Sequence, residues 1–234
     1  LLGFVGCDRV FGLYPVLPPS PATNIGQNQI VAGNTANGTA QATLSLTEQA
    51  NLIVVTVVWP SGAGTLASLI VPGGTFQTIR TDSWSGYNVQ TSYASAVPAG
   101  SAITVQAGLS AGSSPSPWYL CVAVYNGAEQ TNPTYSASSL SSVNTGTIAP
   151  IAFSAQEDGD VIYSIAIAQT SGGSFGAFTG QLAPGATFIA EQSLGFLLIQ
   201  DQQVSAAGSV SVTADATGTN TGRWYLLAMG INHG

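Results

Sequence analysis

The sequence predicts an all-β fold: a jelly-roll-type β-sandwich built from two internally duplicated halves, with almost no helix. Three observations carry that expectation. First, stretches of the chain recur in order. Trp118-Tyr119-Leu120 returns as Trp224-Tyr225-Leu226, Ala99-Gly100-Ser101 as Ala207-Gly208-Ser209, and Pro72-Gly73-Gly74-Thr75-Phe76 as Pro184-Gly185-Ala186-Thr187-Phe188, at offsets of 106 to 112 residues. Second, the apolar residues fall in short β-branched runs parted by Gly, Pro and Ser, the punctuation of strands and turns. Third, no window sustains the 3.6-residue apolar period of a helix. A repeat of this size implies two β units, each burying a face against the other.

Residues 1–24 read as a separate N-terminal piece and residues 25–234 as a single β-sandwich domain, with half-repeats at about 40–127 and 148–234. The first 17 residues are apolar and glycine-punctuated, and include Leu1, Leu2, Phe4, Val5, Val10, Phe11, Leu13 and Tyr14. Pro15, Pro18, Pro19 and Pro21 then make a stiff, extended connector that suits neither helix nor central strand. Residues 42–46 alternate strictly, as a half-buried strand does. Residues 52–59 are almost continuously apolar, like their counterparts 161–168, and read as central strands covered on both faces. Further strands are expected at 65–71, 76–79, 87–96, 102–109 and 118–125. Residues 126–147 read as a polar crossover, with a turn at Asn132-Pro133. The second half resumes at 148–154 and continues through 161–168, 187–191, 195–200, 209–214 and 224–231. Ten to fourteen strands at this spacing are expected to form a two-sheet sandwich.

Composition excludes several partners. Only 6% of residues are charged, the net charge is −7, and the cations are Arg9, Arg80 and Arg223. A phosphate backbone needs a basic surface to displace its counterions, so no nucleic-acid partner is expected. The same shortage disfavours anionic lipid, and no apolar stretch is long enough for a membrane helix, so no membrane insertion is expected. With 45% hydrophobic residues the chain is far from the composition of disorder. A surface of hydroxyls and amides suits an extracellular, cell-surface or virion setting.

Little in the sequence supports catalysis or a cofactor. A Ser-His-Asp or Cys-His site needs a positioned imidazole, and the single histidine, His233, stands one residue from the end of the sequence, where chains fray. Glycoside hydrolysis needs two carboxylates facing across a cleft, whereas Glu157, Asp158 and Asp160 crowd into one turn. That turn is a weak candidate for Ca²⁺, although Asp and Gly are more often simply turn residues. Asp201 and Asp215 read as turn residues too. The polar segment around Trp84 and Tyr87 reads as a loop whose aromatic rings could contact a glycan, while Trp118 and Trp224, which recur in the repeat, read as core. Asn37-Gly38-Thr39 is a formal N-glycosylation sequon at Asn37. Cys7 and Cys121 either form a disulfide or leave Cys121 as a buried thiol. The second reading is preferred because Cys121 occupies the position of Leu227 in the other repeat.

The strand and turn around residues 118–127, the Glu157-Asp158-Gly159-Asp160 turn and the closing Trp224-Tyr225-Leu226-Leu227-Ala228 strand resemble lectin-like β-sandwich modules of bacterial secreted proteins and phage structural proteins. The resemblance covers roughly residues 40–232 and implies adhesion or assembly rather than catalysis. The apolar head, residues 1–17, is foreign to such modules. Its layout, a greasy segment, a stiff linker and a sandwich, is similar to that of donor-strand filament subunits. Three uses stand open for it: a strand added to a neighbouring copy, a strand of its own sandwich, or a residual signal sequence. The expectation is a non-enzymatic structural subunit that polymerises with copies of itself into an extracellular filament or surface structure. A virion surface or tail protein and a carbohydrate-binding module are the alternatives.

Overall fold

The computed structural model describes residues 21–24, 28–46, 50–95, 97, 100, 102–110, 117–142, 149–169, 178–181, 186–193, 197–216 and 223–234. Among these residues every regular element is a β-strand, and every strand pairing is antiparallel. The first half contains β1 (Thr23–Asn24), β2 (Gln29–Ala32), β3 (Thr39–Ser45), β4 (Leu52–Pro60), β5 (Leu66–Ile70), β6 (Gln77–Trp84), β7 (Tyr87–Ala94), β8 (Ala102–Leu109) and β9 (Tyr119–Asn126). The second contains β10 (Thr134–Ser142), β11 (Ile151–Ala155), β12 (Val161–Gln169), β13 (Phe178–Gln181), β14 (Ala186–Ser193), β15 (Leu197–Val204), β16 (Gly208–Ala216) and β17 (Arg223–Ile231).

The strands form four sheets rather than the two expected. In the first half, β2-β9-β4-β7-β6 makes a large sheet, with the two residues of β1 also on β9, and β3-β8-β5 makes a small one. In the second half, β10-β17-β12-β15-β14 and β11-β16-β13 repeat that order strand for strand. The polar crossover expected between the halves contains β10, which lies along β17 as β2 lies along β9. The weakly apolar run of β13 is likewise a strand without a sequence forecast.

Side-chain alternation along the central strands fixes how the sheets stack. Leu52, Val54 and Val58 of β4 share one core with Cys121, Ala123 and Tyr125 of β9, and with Tyr163, Ile165 and Ile167 of β12 and Tyr225, Leu227 and Met229 of β17. The intervening residues Ile53, Val55 and Val57 turn the other way, joining Ala42, Leu44 and Val105 of the small sheet. Ile162, Ala166, Leu226 and Ala228 do the same against Phe153 and Val212 in the second half. The layers therefore run small sheet, large sheet, large sheet, small sheet. This stacking explains the nearly continuous apolar runs, because β4, β9, β12 and β17 are covered on both faces. The outer strands keep one wet face, and β3 and β8 alternate accordingly.

Candidate functional site

The two large sheets meet with β4 opposite β12, β9 opposite β15, and β6 opposite β10 and β17, and the few polar side chains in this seam pair across it. Thr56 on β4 hydrogen-bonds Tyr163 Oη on β12 at 3.0 Å and Thr91 Oγ1 on β7 at 2.9 Å. Asp201 on β15 is fully buried and accepts from Tyr125 Oη on β9 and from Asn28 Nδ2 at 3.0 Å. Asp82 on β6 accepts from Tyr225 Oη on β17 at 2.7 Å and is ion-paired with Arg80. The Arg80 guanidinium also donates to the Ala137 carbonyl on β10 at 3.3 Å. Each of the two aspartates thus receives a tyrosine hydroxyl from the opposite half. Asp201 lies within a strand, not in the turn expected for it, and the backbone of Asp215 lies in β16.

Burial raises the Tyr225 and Tyr163 hydroxyls well above their ordinary pKa, with Asp82 adding to the effect at Tyr225. Burial also acts to raise the Asp82 carboxyl, but hydrogen bonds from Arg80, Tyr225 and Ser139 outweigh it and hold Asp82 below its usual range.

The Glu157-Asp158-Gly159-Asp160 turn is organised around one buried carboxylate. Asp160 Oδ2 accepts the backbone N–H groups of Gln156 and Glu157 at 3.1 and 3.0 Å, and the Tyr135 hydroxyl at 2.7 Å. His233 Nδ1 lies 3.1 Å from Asp160 Oδ1, and His233 Nε2 lies 3.8 Å from Glu157. The histidine is not frayed, as its position near the end suggested: its side chain is 7% exposed and its backbone bridges Ala128. Among the described residues no serine or cysteine is hydrogen-bonded to this imidazole, and no three acidic, His or Cys side chains converge as metal ligands. The oxygens of Asp160 are engaged by protein donors and Asp158 is exposed, so the buried carboxylate ties the turn to the start of β12 by gathering the N–H groups that precede it.

The aromatic pair expected to contact a glycan is placed differently. Trp84 and Tyr87 flank the two-residue turn Ser85-Gly86, both with positive φ (49° and 84°), which closes a tight β6–β7 hairpin. Trp84 is 5% exposed and packs against Tyr225, ring centroids 6.2 Å apart. It belongs to the core and offers no face to a sugar; Tyr87 is half-buried. Of the polar neighbours that suggested a loop, Ser83 and Asn88 bond each other at 2.8 Å on the hairpin's outer face, while Asp82 turns into the seam to meet Tyr225. Trp118 and Trp224 are core, as the repeat implied.

Cys121 is a free thiol, fully buried, and burial pushes its pKa far up. Cys7 and the assembly residues Leu1, Leu2, Phe4, Val5, Val10, Phe11, Leu13 and Tyr14 lie outside the described residues. Asn37 is exposed in the turn before β3, its side-chain oxygen accepting from the Thr39 N–H and hydroxyl at 3.1 and 2.7 Å.

No family model, curated protein or solved structure matches the chain.

Proposed function

We propose that this protein is a non-enzymatic structural subunit that assembles with copies of itself into an extracellular filament or surface structure, using residues 1–17 as the inter-subunit β contact. The observation that carries this reading is how little large apolar surface the described residues leave exposed. Every strand position that recurs between the halves is filled by residues 29–231, and the large apolar side chains left exposed among the described residues are only Ile70 and Leu140. An apolar segment rich in Phe, Leu and Val gains free energy by burying itself, and a neighbouring copy is the surface this reading assigns to it. The ladders of β5, β6, β10 and β14, each at a sheet edge, are interrupted by register shifts. Such bulges discourage edge-to-edge pairing along these four strands. A contact of this head-to-tail kind propagates into a fibre unless its rotation closes a ring. The recurrence of strand order supports duplication of one eight-stranded, jelly-roll-type unit.

The test is electron microscopy of the native protein beside a variant lacking residues 1–17. Regular fibres or particles that dissolve into folded monomers on deletion are the expected result. Fibres that persist unchanged, or monodisperse monomers of the native chain, overturn the proposal. The glycan-binding alternative through Trp84 and Tyr87 is weakened by the burial of Trp84.

A further inference from the structure

We infer that the pocket between the free edge of β5 and the outer face of the β6–β7 hairpin binds a neutral sugar ring. The small sheet ends at β5, while the large sheet beneath it continues to β6, so the outer face of the hairpin forms a shelf beyond that edge. The pocket in this step holds about 200 Å³ and is lined by residues 66–69 of β5, Ser68 among them, by Phe76, and by Thr78 and Gln90 of the hairpin. That is smaller than the ~300 Å³ at which drug-sized ligands begin to fit, and it suits a single ring of a longer molecule.

Three features of the lining define the ligand's chemistry. Every lining residue is uncharged, so an ionised ligand would lose its hydration with no counter-charge to replace it. Phosphorylated and carboxylated ligands are therefore disfavoured. Leu66, Leu69 and Phe76 are apolar and only partly buried against the outer core, and offer a ligand's apolar face a surface to cover. The hairpin residues are prearranged for hydrogen bonding. Gln90 Nε2 donates to Thr78 Oγ1 at 3.2 Å and to Ser92 Oγ at 3.3 Å, and Thr81 Oγ1 donates to Gln90 Oε1 at 3.5 Å. Because the Thr78 oxygen accepts from Gln90, its own O–H is directed to another acceptor. Gln90, tied to three hydroxyls, has surrendered its rotamer freedom before any ligand arrives. An apolar face bordered by hydroxyls, without charge, is the chemistry of a neutral pyranose. This site is separate from Trp84, and it does not depend on the assembly reading.

The test is titration calorimetry and saturation-transfer NMR on the full chain, with maltohexaose, cellohexaose, mannohexaose and laminarihexaose as probes. At least one is expected to bind, and Thr78→Val and Phe76→Leu are each expected to weaken it by about tenfold, the loss of one hydrogen bond or one ring contact. Thr78 is exposed, so Thr78→Val leaves the fold intact and isolates the hydroxyl. Tyr87→Phe, at the far end of the hairpin, should change nothing. Silence with all four probes overturns the inference. Binding that survives both pocket variants also overturns it, since the sugar would then sit elsewhere.

Discussion

The stacking of the two large sheets makes a prediction that a double-mutant cycle can measure. Thr56 and Tyr163 come from different halves of the chain, are fully buried, and meet through hydroxyls 3.0 Å apart. Thr56 also holds Thr91 at 2.9 Å. Replacing Tyr163 with Phe removes one hydroxyl, opens no cavity, and leaves Thr56 paired with Thr91, so it should cost about 1 kcal/mol. Replacing Thr56 with Val strands two buried hydroxyls, on Thr91 and Tyr163, and should cost about 2–4 kcal/mol. In the double variant the Tyr163 hydroxyl is gone and only Thr91 is stranded. The double loss should therefore fall short of the sum of the singles by about 1–2 kcal/mol. Urea denaturation read by tryptophan fluorescence supplies the four free energies; in a chain of this size 1 kcal/mol also moves the melting temperature by about 2–4 °C. Strict additivity, within about 0.3 kcal/mol, would mean that β4 and β12 do not face each other, and the four-layer arrangement would fall with it.

Two further predictions concern ionisation. Asp82 has its folded-state pKa held down, so the stability it supplies is present above the unfolded carboxylate value of about 3.9 and is lost as pH falls through the folded value. The stability gap between the native chain and Asp82→Asn should therefore be widest near neutral pH and shrink below pH ~4; a gap constant down to pH ~2 contradicts the Arg80–Asp82–Tyr225 arrangement. Cys121, buried and with its thiol pKa driven up, should resist iodoacetamide at pH ~8.5 in the folded protein and react fully in urea. Rapid modification of Cys121 under native conditions would show that β9 is not covered on both faces.

What was legible in the sequence follows a physical rule. Residues 52–59 and 161–168 advertise burial on both faces, and they are the centres of the large sheets. Residues 42–46 advertise burial on one face, and their strand, β3, is an outer strand. An apolar run records that something covers each face, but it does not record what does. Two stacked sandwiches and one sandwich with a second covering layer write the same residues, and the number of sheets was not readable for that reason. β10 escaped notice because an edge strand needs few apolar residues, and its centre, Ser136-Ala137-Ser138-Ser139-Leu140, contains just one large one. Trp84 was misplaced because Asp82 beside it looks like a loop residue. Arg80 and Tyr225, the partners that let the aspartate sit in the seam, come from two positions away and from the opposite half. His233 was discounted by its position, and Asp160, 73 residues earlier, is what holds it.

The arrangement of the halves carries one more step of argument. β6 of the first half lies over β10 of the second, and β14, the counterpart of β6, lies over β1 and β2, which sit at the edge where the second half has β10. The large sheets therefore meet as the two subunits of an isologous dimer would, the same strands contacting in both directions. A symmetric apolar seam between two similar sheets could slide by two residues and still bury leucine, isoleucine and valine. The polar contacts remove that freedom, because they are not symmetric. Thr56 finds Tyr163, Tyr125 finds Asp201, and Tyr225 finds Asp82, and any shift would strand buried hydroxyls and carboxylates at a cost of a few kcal/mol. The residues that meet across the seam differ in chemistry from one side to the other, and that mismatch sets one register for the stacked sheets.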